Sequence, residues 1–352
     1  MLRNALRWST VALLAGSLGC GSSSTSATRL NAGGATFVDP IMQKWAGEYR
    51  RKTGIEVDYI KKGSGYGIQQ TVARNLDFGC SDAPMLKKEV DKADGEVIHI
   101  PVTMGAVAII YNLPELAAQL KISGAVLADI YHRKITQWND DRIKSLNPEV
   151  AALLPAKEIV PVYRAEDSGT TNIFSEYLSK SSPAFAAEIG TSKKPKWPAG
   201  GIGQEGSDGV TSHVTKTPYC LGYVEVLFAK KNNVRYAMLQ NKSGAFINPD
   251  AENVTAAAVA AMANPPTVEP YSLHELTYSL TNADGEKSYP IAGFSYAILY
   301  KKQSKDKGPA IVAFLKWTLT EGQQFAKDLE YAPLPADLAA KAVARLDRVT
   351  FE

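Results

Sequence analysis

The chain has 352 residues, of which 45% are hydrophobic and 21% charged, so it can bury a large core and is not a disordered protein. Its length predicts one large domain or two medium ones. The formal net charge is +3, and Arg3 and Arg7 supply two of these charges near the start, so the rest of the chain is nearly neutral. A nearly neutral body argues against a general nucleic-acid-binding protein.

The first 27 residues have the pattern of an export leader followed by a flexible tether. Arg3 and Arg7 precede the apolar segment 11–14, and small residues lead up to Cys20, in a stretch too short for a stable membrane helix. The segment resembles a bacterial lipoprotein signal, which implies that Cys20 is lipidated, although Ser17 stands where leucine is usual. The alternative is ordinary cleavage nearby. Both predict an exported protein, in the periplasm or at the cell surface.

Beyond the tether, short apolar runs alternate with segments of helical periodicity, and loops are expected at 194–203 and 264–270. The main elements are predicted, in chain order, as a helix bearing Ile41, Trp45 and Tyr49, a strand at 55–60, a helix bearing Ile68, Val72 and Leu76, strands at 107–111 and 159–163, a helix bearing Ile173, Phe174, Tyr177 and Leu178, a strand at 289–300, and helices at 310–329 and 336–346. This alternation predicts an α/β fold with largely parallel sheets.

Four turns rich in glycine and hydroxylated residues lie between a predicted strand and a predicted helix. They are 33–37, 63–67, 77–84 and 164–171. In a parallel α/β sheet such turns line the crevice at the carboxyl ends of the strands, where helix N-termini offer unpaired N–H donors to an anion. Arg164 is the one arginine among them, and its guanidinium can grip a tetrahedral oxyanion with two hydrogen bonds. The turns therefore predict an oxyanion site.

Metal-binding motifs are missing from the sequence. It contains neither CxxC nor HExxH, and its four histidines are widely dispersed. We therefore expect no metal site and no cofactor. A GxGxxG match at 201–206 does not follow a clear apolar strand, so it does not predict a dinucleotide site. Ser295 lies in a motif that approximates a nucleophile elbow, but the surrounding alternation indicates an ordinary strand residue.

Several stretches together carry a family resemblance. GGATF, GSGYGIQQ, DFGCSDAPM, ADIYHRKITQWND, RAEDSGTTNIF, LGYVEVLFA and the C-terminal FLKWTLTEGQQFAKDLEYAPLP resemble the phosphate-binding protein of the bacterial ABC-type phosphate importer, from about residue 28 to the end. The resemblance implies a two-lobed periplasmic-binding-protein fold of type II, each lobe a mainly parallel sheet flanked by helices, with two crossing hinge strands. It places lobe I at 28–102 and 290–352, and lobe II at 103–289.

The resemblance also implies the residues that hold phosphate. The family's ligand groups fall on Thr36, Phe37, Ser64, Asp82, Arg164, Ser168, Gly169 and Thr170. Two positions depart from the family: Cys80 replaces an alanine, and Glu166–Asp167 replaces Asp-Gly. Asp167 puts the geometry of its turn in question, because the glycine it replaces could supply positive φ or close approach.

Asp82 is an unexpected residue for an anion site. An ionised carboxylate can only accept a hydrogen bond, so it suits an anion that carries a proton, such as HPO₄²⁻ or H₂PO₄⁻. Sulfate would meet Asp82 with like charges about 4 Å apart, at a cost of roughly 4 kcal/mol for an effective dielectric constant near 20, or about a thousandfold in affinity. The structural alternatives are that Asp82 caps a helix before Pro84 and that Arg164 forms only a salt bridge with Glu166.

Together these features predict a binding protein rather than an enzyme. It would be an exported, lipid-anchored monomer that captures inorganic phosphate between its lobes and delivers it to the membrane permease of an ABC importer, without nucleic acid or cofactor. One alternative is another tetrahedral oxyanion, sulfate or arsenate. The other is a secreted phosphoesterase that uses the same cleft to hold a phosphoryl group. Ser64 and Asp82 could form a hydrolase pair, but no histidine is near either residue in sequence. Because Cys80 and Cys220 fall in different lobes, we expect free, buried thiols rather than a disulfide.

Overall fold

The computed structural model describes residues 28–264 and 266–352. The leader and Cys20 lie outside the described residues, so the lipidation site stays a prediction. Within the described ranges no helix is both long and apolar enough to cross a membrane.

Strands and helices alternate along most of the chain. The strands are β1 (Arg29–Gly34), β2 (Glu56–Lys61), β3 (Phe78–Ser81), β4 (Val97–Tyr111), β5 (Lys121–Ile122), β6 (Val160–Arg164), β7 (Ile202–Gln204), β8 (Cys220–Glu225), β9 (Met238–Gln240), β10 (Phe246–Ile247), β11 (Ala292–Tyr300), β12 (Lys302–Gln303) and β13 (Thr350–Phe351). The α-helices are α1 (Asp39–Thr53), α2 (Ser64–Val72), α3 (Lys87–Val90), α4 (Gly124–Tyr131), α5 (Asp141–Leu146), α6 (Gly169–Ser181), α7 (Pro183–Glu188), α8 (Gly206–Lys216), α9 (Val226–Lys231), α10 (Ala251–Ala261), α11 (Gly308–Leu319) and α12 (Ala336–Leu346).

Eight strands form one sheet in the order β2-β1-β3-β11-β4-β8-β6-β7. Strand β1 pairs in parallel with β2 and β3, and β6 pairs in parallel with β7 and β8. The central strands β11 and β4 pair antiparallel with each other and with their outer neighbours, β3 and β8. The predicted α/β class with parallel sheets is confirmed, and the antiparallel centre joins the two parallel halves.

Strand β4 is the longest strand and connects the halves of the sheet. Residues up to Ala106 pair with β11, and residues from Val107 onward pair with β8. The chain returns beside the same point, where the Val107 N–H donates to the Ile291 carbonyl at 2.8 Å. Two crossing segments therefore run between the halves, as the resemblance implies. The lobe boundaries at 102/103 and 289/290 stay predictions.

Helix α1 has the apolar face that the sequence predicts. Ile41, Trp45 and Tyr49 are all buried, and the helix ends at Gly54, whose φ of 79° is the left-handed conformation that glycine adopts most easily. The Trp45 indole Nε1–H donates to the Gly322 carbonyl at 2.8 Å. This bond ties the first helix to the C-terminal region, so both ends of the chain build the same half.

Two predicted helices are shorter than expected. The segment predicted at 310–329 is helical only to Leu319, and 3₁₀ turns follow at Glu321–Phe325 and Lys327–Leu329. At the break Thr320 leaves the helical conformation, with φ −115° and ψ −95°, and within the 3₁₀ turn that follows the Gly322 carbonyl accepts from the Trp45 indole. Helix α2 ends at Val72, before Leu76, because Arg74 adopts a left-handed φ of 58° and lies over the Tyr300 ring.

Cys80 and Cys220 are free and buried, as predicted. Cys80 lies in β3 and Cys220 at the start of β8, strands that belong to different halves of the sheet. Burial raises the pKa of both thiols, to about 11 for Cys220, so neither is a reactive thiolate.

Candidate anion-binding site

The eight predicted ligand residues come together between the two halves of the sheet. Thr36 and Phe37 follow β1, Ser64 opens α2, Asp82 follows β3, Arg164 ends β6, and Ser168, Gly169 and Thr170 lie at the start of α6. All eight are buried. The residues of the two halves are in contact, since a Cβ atom on Gly169 would lie 2.3 Å from the Ser64 Oγ and 2.7 Å from the Asp82 Cβ. Their role as ligands stays a prediction.

Helix α2 points its first turn at this place because of a glycine. Gly63 has a φ of 95°, which turns the chain from β2 into the helix. A Cβ atom there would lie 2.9 Å from the Asp167 carbonyl oxygen, so a larger residue would also push away the facing turn. The Gly65 N–H donates to that same carbonyl at 3.0 Å.

Helix α6 presents its N-terminus to the site. The Ser168 Oγ accepts from the Thr171 N–H at 3.2 Å, which caps the helix and leaves the hydroxyl hydrogen of Ser168 free for another acceptor. Backbone N–H groups in a first helical turn have no partner within the helix. The amides of Gly169 and Thr170 are therefore available to an anion, with the helix dipole in support.

Asp82 does not cap a helix. The next helix, α3, begins only at Lys87, so the capping interpretation is wrong. Its Oδ1 accepts from the Ser295 Oγ at 2.6 Å, its Oδ2 lies 3.4 Å from the Ser64 Oγ, and its backbone N–H donates to that Ser64 oxygen at 3.1 Å. Burial raises the pKa of Asp82 to about 7, although the bond from Ser295 and the charge of Arg164 act in the opposite direction.

This pKa changes what Asp82 can do near neutral pH. The sequence predicts an ionised carboxylate, whereas a pKa of about 7 means that both the ionised and the neutral form of Asp82 occur near neutral pH. The ionised form accepts a proton-bearing oxygen, and the neutral form can donate to an oxygen that bears none. Any discrimination between anions by Asp82 would therefore depend on pH.

Arg164 is fully enclosed and forms the predicted salt bridge with Glu166. Its Nε donates to the Glu166 Oε1 at 2.7 Å, and its Nη2 contacts the same oxygen. Its Nη1 faces the site, 3.4 Å from the Thr170 Oγ1 and 3.5 Å from the Ser207 Oγ. The salt bridge orients the guanidinium and leaves one end of it for a ligand, so the two interpretations of Arg164 are compatible.

The Asp167 substitution fits the turn without strain. Asp167 is not among the non-glycine residues with positive φ, so this position does not need glycine for its conformation. The close approach of the two turns is permitted by Gly65 on the facing turn, because a Cβ atom on Gly65 would lie 2.3 Å from the Asp167 Cβ. The expected problem at this turn is therefore absent from the backbone geometry.

Three residues at the site escaped the sequence analysis. Ser207 contacts Thr36 and Arg164, Ser295 donates to Asp82, and the Tyr223 hydroxyl accepts from the Arg164 backbone N–H at 3.2 Å. Ser295 is a strand residue, as predicted, but its hydroxyl also serves the site. The GxGxxG match could have indicated the strand–helix turn that carries Ser207, because β7 lies within the match and α8 begins at its last glycine, Gly206.

The charge of the site is close to balanced. Glu166 compensates Arg164, and Asp82 adds a partial negative charge, so a bound anion would depend mainly on neutral hydroxyl and amide donors. A cavity of about 400 Å³ borders the site at Thr36 and Glu166 and is lined by Lys61 and Lys62 and by the acids Glu205 and Asp208. A larger cavity of about 970 Å³ lies beside Asp167 and includes none of the eight residues. Among the described residues no cluster of metal-ligating side chains occurs.

Known proteins resemble this chain over most of its length. A family model described as a PBP superfamily domain matches residues 21–321. The phosphate-binding protein PstS of Pasteurella multocida (strain Pm70) is 40% identical over 323 residues, covering 91% of this chain and 90% of that protein. The phosphate-binding protein PstS of Haemophilus influenzae (strain ATCC 51907 / DSM 11121 / KW20 / Rd) is 38% identical, covering 89% of this chain and 91% of that protein.

Solved structures share the fold at lower identity. A high-affinity periplasmic phosphate-binding protein, PfluDING, determined with phosphate bound, superposes with a TM-score of 0.71 at 20% identity, covering 90% of this chain and 93% of that one. A phosphate-binding protein from Stenotrophomonas maltophilia gives a TM-score of 0.71 at 18% identity, covering 90% and 94%. These matches establish the two-lobed fold.

Proposed function

We propose, because the chain belongs to the phosphate-binding protein family of the PBP superfamily, that it captures inorganic phosphate between its halves and delivers it to an ABC-type importer. The observation that carries the proposal is the buried Asp82 carboxyl among neutral donors, with Arg164 as the one cation in the set. A ligand that brings its own proton satisfies that carboxylate, and phosphate does so near neutral pH.

The proposed ligand set follows the eight sequence-predicted residues. Arg164 Nη1 and the amides at the start of α6 would bind from one half, and the hydroxyls of Thr36 and Ser64 from the other. Hydrogen bonds to a charged acceptor are stronger than neutral ones, so many such donors can hold an anion with little net positive charge. Phe37 would contribute its backbone N–H, since its side chain is packed in the core.

The two halves are proposed as lobes that close over the ligand, lobe I at 28–102 and 290–352 and lobe II at 103–289. Ligand groups come from both lobes, so only the closed arrangement presents a complete site. Binding would then favour closure by its differential affinity for the closed state. An importer could read occupancy from the closed shape.

Export and anchoring complete the proposal. The leader pattern supports export to the periplasm or cell surface, with a lipid on Cys20 holding the protein to the membrane near its permease. The Gly/Ser/Thr composition of residues 21–27, which lie outside the described residues, predicts a tether. We propose that the protein acts as a monomer, since each chain supplies every residue of the proposed site.

The alternative ligands are sulfate and arsenate. Arsenate also carries a proton, so Asp82 would not exclude it, whereas ionised Asp82 would repel sulfate. The phosphoesterase alternative lacks a base in the geometry, because no hydrogen bond of Ser64 or Asp82 within residues 28–264 and 266–352 involves a histidine. Phosphate release from a chromogenic ester, lost in Arg164→Ala, would favour the enzyme.

Calorimetric titration of the ligand-stripped protein with phosphate and with sulfate tests the proposal. We expect tight phosphate binding at about pH 8, sulfate binding weaker by at least about tenfold because about nine tenths of the Asp82 carboxyls are ionised there, and a loss of at least about a hundredfold for both ions in Arg164→Ala. Arg142→Ala is the matched control, because Arg142 is exposed and paired with Asp129 and Asp140. Equal affinities for the two ions would overturn the proposal.

A further inference from the structure

Ser207 is a fully buried serine whose hydroxyl lies within the candidate site, between residues of other elements. It lies in the first turn of α8, and its Oγ is 3.1 Å from the Thr36 Oγ1 and 3.5 Å from the Arg164 Nη1. Helix α8 lies in the proposed lobe II, and Thr36 follows β1 in the proposed lobe I. The Ser207 hydroxyl therefore bridges the two sides of the site.

The chemistry of the three partners sets the direction of these bonds. A guanidinium can only donate, so the Ser207 oxygen must accept from Arg164. A hydroxyl carries a single hydrogen, and the remaining neighbour of Ser207 is the Thr36 oxygen. The chain that satisfies every group runs from Arg164 to Ser207 to Thr36. The Thr36 oxygen then accepts, and its own hydrogen stays free.

From this geometry we infer that Ser207 is a positioning residue for anion binding, which orients the Thr36 hydroxyl so that it donates to the ligand; the inference rests on the proposed function. Without Ser207, the Thr36 hydroxyl has no donor to hold its orientation, and Arg164 Nη1 loses one of its two acceptors. The bond also joins the halves, so its loss weakens the closed state and speeds ligand release.

A double-mutant cycle on Thr36 and Ser207 tests the inference. Phosphate affinity and dissociation rate are measured for the wild type, Ser207→Ala, Thr36→Val and the double variant. We expect Ser207→Ala to lose about tenfold in affinity, mostly through faster dissociation, as for one hydrogen bond of about 1.4 kcal/mol to a charged acceptor. In the Thr36→Val background, where no hydroxyl remains to be oriented, the Ser207→Ala substitution costs less than about threefold.

Matched controls separate this role from a structural one. Thr211 is buried one turn along the same helix, and its Oγ1 donates only to the Ser207 carbonyl at 2.7 Å, so Thr211→Val should keep wild-type affinity. Thermal unfolding of each ligand-free variant shows whether it folds. In Thr36→Ser, which keeps the hydroxyl, Ser207→Ala should again cost about tenfold.

The outcomes distinguish the inference from the proposed function. A wild type that binds no phosphate overturns the proposed function, and this inference with it. A wild type that binds, with Ser207→Ala unchanged, overturns the inference alone. Equal losses from Ser207→Ala in the wild-type and Thr36→Val backgrounds also overturn it, because they would show that Ser207 does not act through the Thr36 hydroxyl.

Discussion

In the proposed site, the proton on Asp82 would decide which anions bind. Ser295 fixes one carboxylate oxygen at 2.6 Å and leaves the other, beside Ser64, for a ligand. Above the pKa of about 7 the carboxylate is charged and needs a hydrogen from its guest, and below it the carboxyl supplies one. Phosphate carries a proton in both regimes, whereas sulfate carries none. Selectivity against sulfate should therefore depend on acidity.

We predict that sulfate binding to the wild type strengthens as pH falls. Protonated Asp82 is a small fraction of the molecules at about pH 8 and nearly all of them at about pH 5, so sulfate affinity should rise roughly tenfold and level off. The rise follows from the loss of a negative charge facing the ion. Titration calorimetry with sulfate across this range measures it.

Asp82→Asn is the control for this prediction. The amide that replaces the carboxyl can donate at every pH, so the variant should bind sulfate about as tightly at pH 8 as at pH 5 and more tightly than the wild type at pH 8. A wild type whose sulfate affinity is flat with pH, or an Asp82→Asn variant that still rejects sulfate, would show that Asp82 does not discriminate by its charge.

Single residues differ in how far the sequence could predict them. Arg164, Asp82 and Ser168 lie in turns whose residue types suggest an anion, and the structure brings them together. Ser295 and Ser207 were missed for different physical reasons. Ser295 lies in a wholly buried strand, where alternation says nothing about hydrogen-bond partners. Ser207 follows a three-residue strand, β7, that is only half-buried, so no apolar run marks it.

At the scale of elements, the site depends on how closely α2 and α6 approach each other. Gly169 in α6 has no room for a side chain, since a Cβ atom there would lie 2.3 Å from the Ser64 Oγ in α2 and 2.8 Å from the Asp82 backbone nitrogen. These contacts cross between the proposed lobes. Glycine at this position would therefore be required for the proposed closure rather than for helix formation.

We predict that Gly169→Ala weakens phosphate binding by at least about a hundredfold. The methyl group would hold the lobes apart, because backbone and buried atoms on the facing side cannot move away cheaply. The free energy of unfolding of the ligand-free protein should change little, since alanine is accepted in the first turn of a helix. Calorimetry gives the affinity, and denaturant unfolding gives the stability.

Gly47→Ala is a matched control within α1. A Cβ atom there would meet no heavy atom within 4 Å, so the substitution should stabilise the protein by about 0.5–1 kcal/mol and leave phosphate affinity unchanged. If Gly169→Ala bound phosphate like the wild type, the close approach of α2 and α6 would not be part of the binding state.

The ends of helices are where the observed structure departs most from the prediction made from local sequence. Helix α12 was predicted with its observed bounds, because its apolar face is regular and no tertiary bond interrupts it. The segment after Leu319 continues the same periodicity, yet it forms 3₁₀ structure in which the Gly322 carbonyl bonds to Trp45, more than 270 residues earlier in the chain. No local pattern can report a partner at that separation.

At the scale of the whole molecule, ion pairs cross between the proposed lobes. In each of three pairs the lysine Nζ lies 2.7 Å from a carboxylate oxygen of the other lobe. The pairs are Lys193–Glu89 (Oε1), Lys61–Asp208 (Oδ2) and Lys230–Glu330 (Oε2). The Lys193 side chain is 8% exposed and the Glu89 side chain 19%, whereas Lys61 and Asp208 are 45% and 63% exposed. Exposed pairs contribute little, so closure should depend on the Lys193–Glu89 pair far more than on the Lys61–Asp208 pair.

We predict that Lys193→Met speeds phosphate dissociation and lowers affinity by about tenfold or more. Removing Lys193 leaves the Glu89 carboxylate enclosed without its cation in the closed state, while in an open state water can solvate it, so the equilibrium shifts toward opening. Stopped-flow measurement of release gives the rate. Lys61→Met removes a partner from an exposed pair and should change the rate less than about threefold.

Because neither lysine is among the proposed ligand residues, a change confined to Lys193→Met would come from the balance between open and closed states. Equal release rates for Lys193→Met and the wild type would mean that closure does not depend on this pair.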